Sequence, residues 1–427
     1  MSDTPLATIG TGAWRLAFAL AFVHLVSSLD RHLLSLVLPL VKAELVLTDT
    51  QLGFLQGTAY VLPYAAAIVP AGMLVDRFDR SALILTALCV WTLGTAACAL
   101  SQAYPQLVAA RMLVGLGQAA LVPAAVSLIT DMFGPRRSGK PIAVFTSAAT
   151  LGRGLALSGG GLLLAVILAA RTPDWLQGLQ PWRVLFLVSL AVNVAAIALF
   201  SVTRAPRRPH PPGAGGGKLK PVLVRHWASY LAYFGSAAVT ILIIQVIAAW
   251  TPTILVRSFG ASVAESGMIF GVIVVCVGPA GNLLGGAVLD RLAARGVVVA
   301  PAGVAAVSLL MAVAAGSAFC LAGSLGAAAG ALAGATFTLG MATPASLVAI
   351  QQLTPSPLRG RMTGAFLLGV TLIALGIGPV LVGWLADHVF GGAAGLRRAV
   401  LAVLWTTGVP GVISAVVAGW LARSHRP

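Results

Sequence analysis

Apolar runs of about 20 residues or more, the length a helix needs to cross about 30 Å of hydrocarbon, recur along this chain from one end to the other. They lie near residues 14 to 40, 50 to 75, 82 to 100, 105 to 131, 140 to 169, 181 to 203, 227 to 256, 264 to 289, 298 to 321, 324 to 352, 361 to 386 and 397 to 422. Only 9% of the 427 residues are charged and 59% are hydrophobic, where a soluble domain carries about 25% charged residues. The sequence therefore predicts an all-α integral membrane protein with twelve transmembrane helices. The first run is too long for the h-region of a cleavable signal peptide and reads as a spanning helix.

A formal net charge of +16 raises the question of nucleic acid, which the placement of the basic residues answers. Alternate loops hold Arg77 and Arg80; Arg136, Arg137 and Lys140; Arg204, Arg207, Arg208, Lys218, Lys220 and Arg225; Arg291 and Arg295; Arg359 and Arg361; and, at the tail, Arg423 and Arg426. The intervening loops hold only Lys42, Arg171, Arg183, Arg257, Arg397 and Arg398. This asymmetry follows the positive-inside rule, so both termini are expected in the cytoplasm and the charge sets topology. No nucleic-acid partner is expected. Short tails and Ala/Gly-rich spans suit a bacterial inner membrane. Cys89, Cys98, Cys276 and Cys320 fall in predicted spans without a CxxC pair, and read as small buried hydrophobes.

The stretch from Arg204 to Arg225 is rich in Pro, Gly and basic residues and reads as a flexible linker. It divides the chain into an N-terminal six-helix bundle (1–203), a cytoplasmic linker (204–226) and a C-terminal six-helix bundle (227–427). A repeat supports the division: Gly72 to Asp76-Arg77 with Arg80 in the first half, and Gly286 to Asp290-Arg291 with Arg295 in the second. Glycine is expected to admit a neighbouring backbone there, the acid to cap a helix and the arginines to bond carboxylates or lipid phosphates. Asp131, at the cytoplasmic end of the fourth span, is the expected partner of Arg80. Together these residues read as a conformational latch, against the plainer reading that the arginines only set topology.

Within the first run stands the pair Asp30-Arg31. A charge near the bilayer centre costs roughly 2.5 to 3.5 kcal/mol, so it persists where it meets a polar cavity or a partner. At helical spacing His24, Ser27, Ser28, Arg31 and Ser35 share one stripe, with Asp30 on its shoulder. The stripe is expected to face a cavity, or else to bind neighbouring helices together. Asp30 is the candidate proton carrier. Arg111, Gly115, Gln118 and Val122 share a face of the fourth span. Arg153, midway along the fifth and flanked by Gly152 and Gly154, has room for a ligand and suits carboxylate or phosphate; its alternative is a salt bridge to Asp30. The run Ser158 to Gly161 reads as helix packing, since no P-loop lysine follows. In the second half Tyr233 and Gln245 are candidate contacts among apolar and aromatic neighbours. A charged first half and an apolar second half would suit the head and body of an amphiphilic organic anion.

Several motifs resemble the major facilitator superfamily, and most of all its Spinster-like branch: Leu29-Asp30-Arg31-His32, Thr50-Gln51-Leu52-Gly53, Gly72 to Arg80, Arg111 to Ala119, Trp250-Thr251-Pro252 with Arg257 to Gly260, and Glu265-Ser266-Gly267. The resemblance implies two bundles rocking about a central substrate site, and in this branch lysolipids or sphingoid phosphates. It also links Arg111 to proton transfer or substrate charge. Gln118 stands where the branch usually has Glu, and Asp79 where the superfamily often has Gly; Gln cannot titrate, so a proton role carried by that Glu is either missing here or falls on Asp30. The expected function is secondary transport of an amphiphilic anion or lysolipid-like substrate, with H⁺ as a possible coupled ion. The rivals are an organic-anion symporter of small carboxylates and a non-transporting membrane sensor or scaffold. The fifth span lacks the Gly-Pro element of multidrug antiporters. No nucleophile with its base and no metal cluster is evident, the six histidines being dispersed, so neither an enzyme nor a cofactor is expected. A single chain suffices for this architecture, so a monomer is expected in the bilayer.

Overall fold

The structure is a computed structural model that describes residues 11–133, 139–169, 179–203, 219–355, 358–392 and 394–424. Linker residues 204–218, together with Arg136, Arg137, Arg171, His425 and Arg426, lie outside the described residues. So do the side chains of Asp76, Arg77, Lys220, Arg359 and Arg361. The described residues are helical, with twelve helices long and apolar enough to cross a membrane. They are α1 (Gly12–Leu45), α2 (Asp49–Leu74), α3 (Arg80–Leu100), α4 (Tyr104–Phe133), α5 (Lys140–Ala169), α6 (Pro181–Val202), α7 (Leu223–Phe259), α8 (Val263–Ala294), α9 (Ala300–Leu321), α10 (Leu325–Leu353), α11 (Met362–Phe390) and α12 (Gly395–Arg423). Helices are what apolar runs of this length must form in hydrocarbon, because each backbone N–H and C=O then finds its partner within the segment.

Polar residues mark where helices begin. The Thr48 hydroxyl accepts from the Gln51 backbone N–H while the Gln51 carboxamide accepts from the Thr48 N–H, a capping box that starts α2. Asp79 caps α3, accepting from Ser81 and Ala82, and Ser262 and Ser324 do the same for α8 and α10. The helix of α7 reaches back to Leu219, with non-helical backbone at His226 (φ −123°, ψ 23°). The end of the expected linker is therefore helical, and the break falls where the sequence places the linker's boundary. Two π-helical segments, Leu155–Gly159 in α5 and Ala386–Phe390 in α11, interrupt regular α geometry.

By their contacts the residues group into two compact units. The first comprises 1–33, 62–156 and 172–211, and its core is built from Leu16, Leu20, Val23 and Val26 of α1, Trp91 of α3, Phe145 of α5, and Trp182, Phe186 and Phe200 of α6, all buried. Here Gly152 of α5 lies against α1: a Cβ at this position would collide with the Leu25 carbonyl and stand 3.0 Å from Ser28 Cβ. Gly152 thus serves close helix packing.

The second unit comprises 34–61, 157–171 and 212–427. Tyr230 and Tyr233 of α7, Ile350 of α10 and Met362, Phe366 and Val370 of α11 form one of its cores. Gly53 of α2 lies directly on α11, where a Cβ would collide with the Pro379 carbonyl and stand 2.9 Å from Val380 Cα. Gly161 packs in the same manner on α8, its Cβ position 2.6 Å from the Ala264 carbonyl oxygen.

Candidate functional site

In the first unit a polar cluster is embedded in an apolar helix bundle, and Asp30 is its centre. Asp30 is 2% exposed, and helices α3 and α6 supply the donors that its carboxylate requires. Asn193 Nδ2 donates to Asp30 Oδ2 at 2.6 Å, Thr95 Oγ1 donates to the same oxygen at 3.1 Å, and the Ser189 hydroxyl donates to Oδ1. Trp91 sets the orientation of the amide. Its indole Nε1–H, which can only donate, reaches Asn193 Oδ1 at 3.0 Å, so the amide nitrogen must face Asp30. Trp91, Thr95, Ser189 and Asn193 are all buried. Among the described residues Asp30 makes no ion pair, so the salt bridge to Arg153 weighed from the sequence is absent.

The arginines gather around the next turn of α1. Arg31 Nη2 donates to Gln118 Oε1 at 3.3 Å, and Gln118 Nε2 donates to the Ser27 carbonyl at 3.0 Å, tying α4 to α1 through one amide. The Arg31 guanidinium also stands 6.0 Å from the Tyr64 ring centroid. Arg111, 1% exposed, donates from Nη2 to the Arg31 carbonyl at 3.4 Å. Arg153 is half-buried and, among the described residues, makes neither an ion pair nor a hydrogen bond. The charges of Arg31, Arg111 and Arg153 all bear on His32. His32 Nδ1 donates to the Ser28 carbonyl at 2.8 Å, which leaves Nε2 as the ring's other polar atom.

His24 and Ser28 of the polar stripe bind α5, while Ser35 is buried. His24 Nδ1 donates to the Phe145 carbonyl at 2.9 Å and its ring stacks on Phe145 at 4.2 Å, while Ser28 Oγ donates to the Ala149 carbonyl at 2.6 Å. Val122 is exposed, beyond the turn at Ala119 and Ala120 that interrupts α4. In the second unit Tyr233 is buried in the α7 core and Gln245 is half-buried.

At the ends of the spans, Arg80 forms an ion pair with Asp131. Asp290 and Arg291 are both exposed, and among the described residues neither makes an ion pair. Close backbone approach at Gly72 and Gly286 is corrected: a Cβ at either would meet no described atom within 4 Å. Both glycines face open space.

Sequence reasoning missed the partners of Asp30, and it missed a second charged cluster, which lies in the second unit. Asp49 accepts from Arg257 through two parallel bonds of 2.8 Å each and from Lys42 at 2.6 Å. Asp387 accepts from the backbone N–H groups of Asp49 and Thr50 at 3.1 and 2.6 Å and from the Thr50 hydroxyl at 2.6 Å. The available signal was weak: a polar Asn at the middle of an apolar span for the first, and isolated loop charges for the second. No group of three His, Cys, Asp or Glu among the described residues is placed to hold a metal ion.

Comparison with known proteins follows the same lines. The family model of the Major Facilitator Superfamily matches residues 20–366. An MFS-type efflux pump of Mycolicibacterium smegmatis is 28% identical over 295 residues, which are 66% of this chain and 64% of that protein. Protein spinster of Drosophila melanogaster is 26% identical over 209 residues, 49% of this chain and 32% of that protein. The matches thus span less than two thirds of the length of either curated relative. Among solved structures, a bacterial homolog to the human lysosomal transporter Spinster, in an inward-facing and unoccupied conformation, superposes with TM-score 0.84 at 22% identity, covering 97% of this chain and 98% of that one.

Proposed function

The chain belongs to the major facilitator superfamily, similar to its Spinster-like branch, and is a membrane transporter rather than an enzyme; on that footing we propose that it carries an amphiphilic organic anion by alternating access of two six-helix halves joined at 204–226. The observation that carries the reading is Arg153. A half-buried guanidinium in a membrane span, without an acid beside it and grouped with two more arginines, offers a strong site for carboxylate or phosphate. The single carboxylate of the cluster makes no ion pair among the described residues, and one negative charge against three arginines leaves a positive surplus. The amphiphilic character of the substrate follows from the Spinster-like resemblance and from the apolar helices in which the cluster is set. Proton coupling, in this reading, runs through Asp30, and Gln118 holds Arg31 without titrating.

The test is ligand-induced thermal stabilisation of the purified protein against lysolipids, sphingoid phosphates, small carboxylates and sugar acids, followed by counterflow in proteoliposomes. Amphiphilic phosphates should stabilise the protein, and Arg153→Ala should weaken their binding roughly ten- to hundredfold, the effect of losing a charge-assisted hydrogen bond of about 1.5 to 3 kcal/mol. Stabilisation by small carboxylates alone would transfer the assignment to the organic-anion symporter reading. Wild-type affinity in Arg153→Ala would remove that residue from the site.

A further inference from the structure

The second unit carries an apolar groove remote in sequence from the Asp30 cluster. The first turns of α7 and α11 form it, with Val224, Trp227, Leu231 and Phe234 on one wall and Ala365 and Phe366 on the other, around a volume of about 440 Å³. Every residue lining it is apolar or aromatic, and its one hydroxyl is already used. Thr354 Oγ1 donates its proton to the Ile350 carbonyl at 2.6 Å, so Tyr230 donates to Thr354 at 2.9 Å. Val224, Trp227 and Leu231 are 65, 63 and 59% exposed, and they belong to a helix long and apolar enough to cross a membrane.

Length and charge say what fills such a groove. From Trp227 to Phe234, beyond the break at His226, a helix rises about 10 Å at about 1.5 Å per residue, roughly two thirds of one leaflet's share of a hydrocarbon core of about 30 Å. At its outer end the chain is uniformly basic. Residues 204 to 264 contain no Asp or Glu but do contain Lys220 and the exposed Arg225, and Arg359 and Arg361 lie at the start of the α11 helix in an equally acid-free stretch. Trp227, one turn inside that rim, suits the boundary between headgroups and hydrocarbon. We propose that this groove between α7 and α11 is a binding site for an acyl chain of an anionic diacyl phospholipid of the surrounding membrane, with the exposed Arg225 meeting the phosphate. The site is independent of the transported anion and stands or falls separately from it.

Native mass spectrometry of the full chain in detergent, titrated with phosphatidylglycerol or phosphatidylcholine of the same acyl chains, tests the proposal. Phosphatidylglycerol should be retained the more tightly. Ala365→Trp, at an exposed position, fills the groove and should lower that affinity roughly tenfold or more, since even two displaced methylenes suffice. Arg225→Gln leaves the groove open and should weaken phosphatidylglycerol roughly fivefold while sparing phosphatidylcholine. Equal retention of the two lipids, or indifference to Ala365→Trp, would overturn the site. Retention of a lysophospholipid in preference to both diacyl lipids would overturn the assignment to a resident membrane lipid and make the groove a station for substrate.

Discussion

Asn193 decides which oxygen of Asp30 is open to a proton. Because Trp91 holds the Asn193 carbonyl, the amide nitrogen is committed to Asp30 Oδ2, and that oxygen can serve only as an acceptor. Oδ1 faces the Ser189 hydroxyl, a group that can donate or accept. A proton on Asp30 therefore belongs on Oδ1, with Ser189 turning from donor to acceptor. Asp30→Asn should abolish accumulation driven by a pH gradient while sparing exchange, measured as uptake against counterflow in proteoliposomes; unchanged gradient-driven uptake would remove Asp30 from coupling. Ser189→Ala should alter the pH profile of exchange, whereas Thr95→Val, acting on the other oxygen, should leave it in place. The charged members of this cluster are legible in sequence, since a charge in a span has so few alternatives. Its neutral members are not, because Thr, Ser and Asn are ordinary in spans and only the fold brings Thr95, Ser189 and Asn193 to one carboxylate.

Helix existence was legible throughout, and the twelve expected runs match the twelve helices to within a few residues at most ends. What the pattern of hydropathy does not contain is where a helix breaks and what lies on it. The π segments at Leu155–Gly159 and Ala386–Phe390 answer to tertiary packing, to which hydropathy is blind. The glycines make the same point from both sides. Gly53 and Gly72 look alike in sequence, yet one lies on the Pro379 carbonyl and the other faces open space. Gly53→Ala should therefore destabilise the protein by about 1 to 3 kcal/mol through overpacking, read as a lowered thermal midpoint in detergent. Gly72→Ala should leave that midpoint unchanged, and equal effects at the two sites would contradict the packing described.

For the whole molecule, the alternation of basic loops predicts a side for every connection. Reporter fusions after α2, α4, α6 and α12 should all report the cytoplasmic side, and fusions after α1, α3 and α5 the opposite one. An inverted or mixed pattern would overturn the orientation, and with it the leaflet that the α7–α11 groove faces. The division of the chain into packing units was less legible than the number of its spans, because contacts assign parts of α1, α2 and α5 to the second unit, which no repeat or linker announces. One further feature bears on how motion in this protein can be followed. All four cysteines are free and sunk in spans, Cys98 and Cys320 buried, Cys89 and Cys276 exposed on α3 and α8. A water-soluble maleimide is consequently barred from Cys98 and Cys320, and once the exposed Cys89 and Cys276 are replaced a thiol placed in any loop becomes a solitary handle for a dye or spin label.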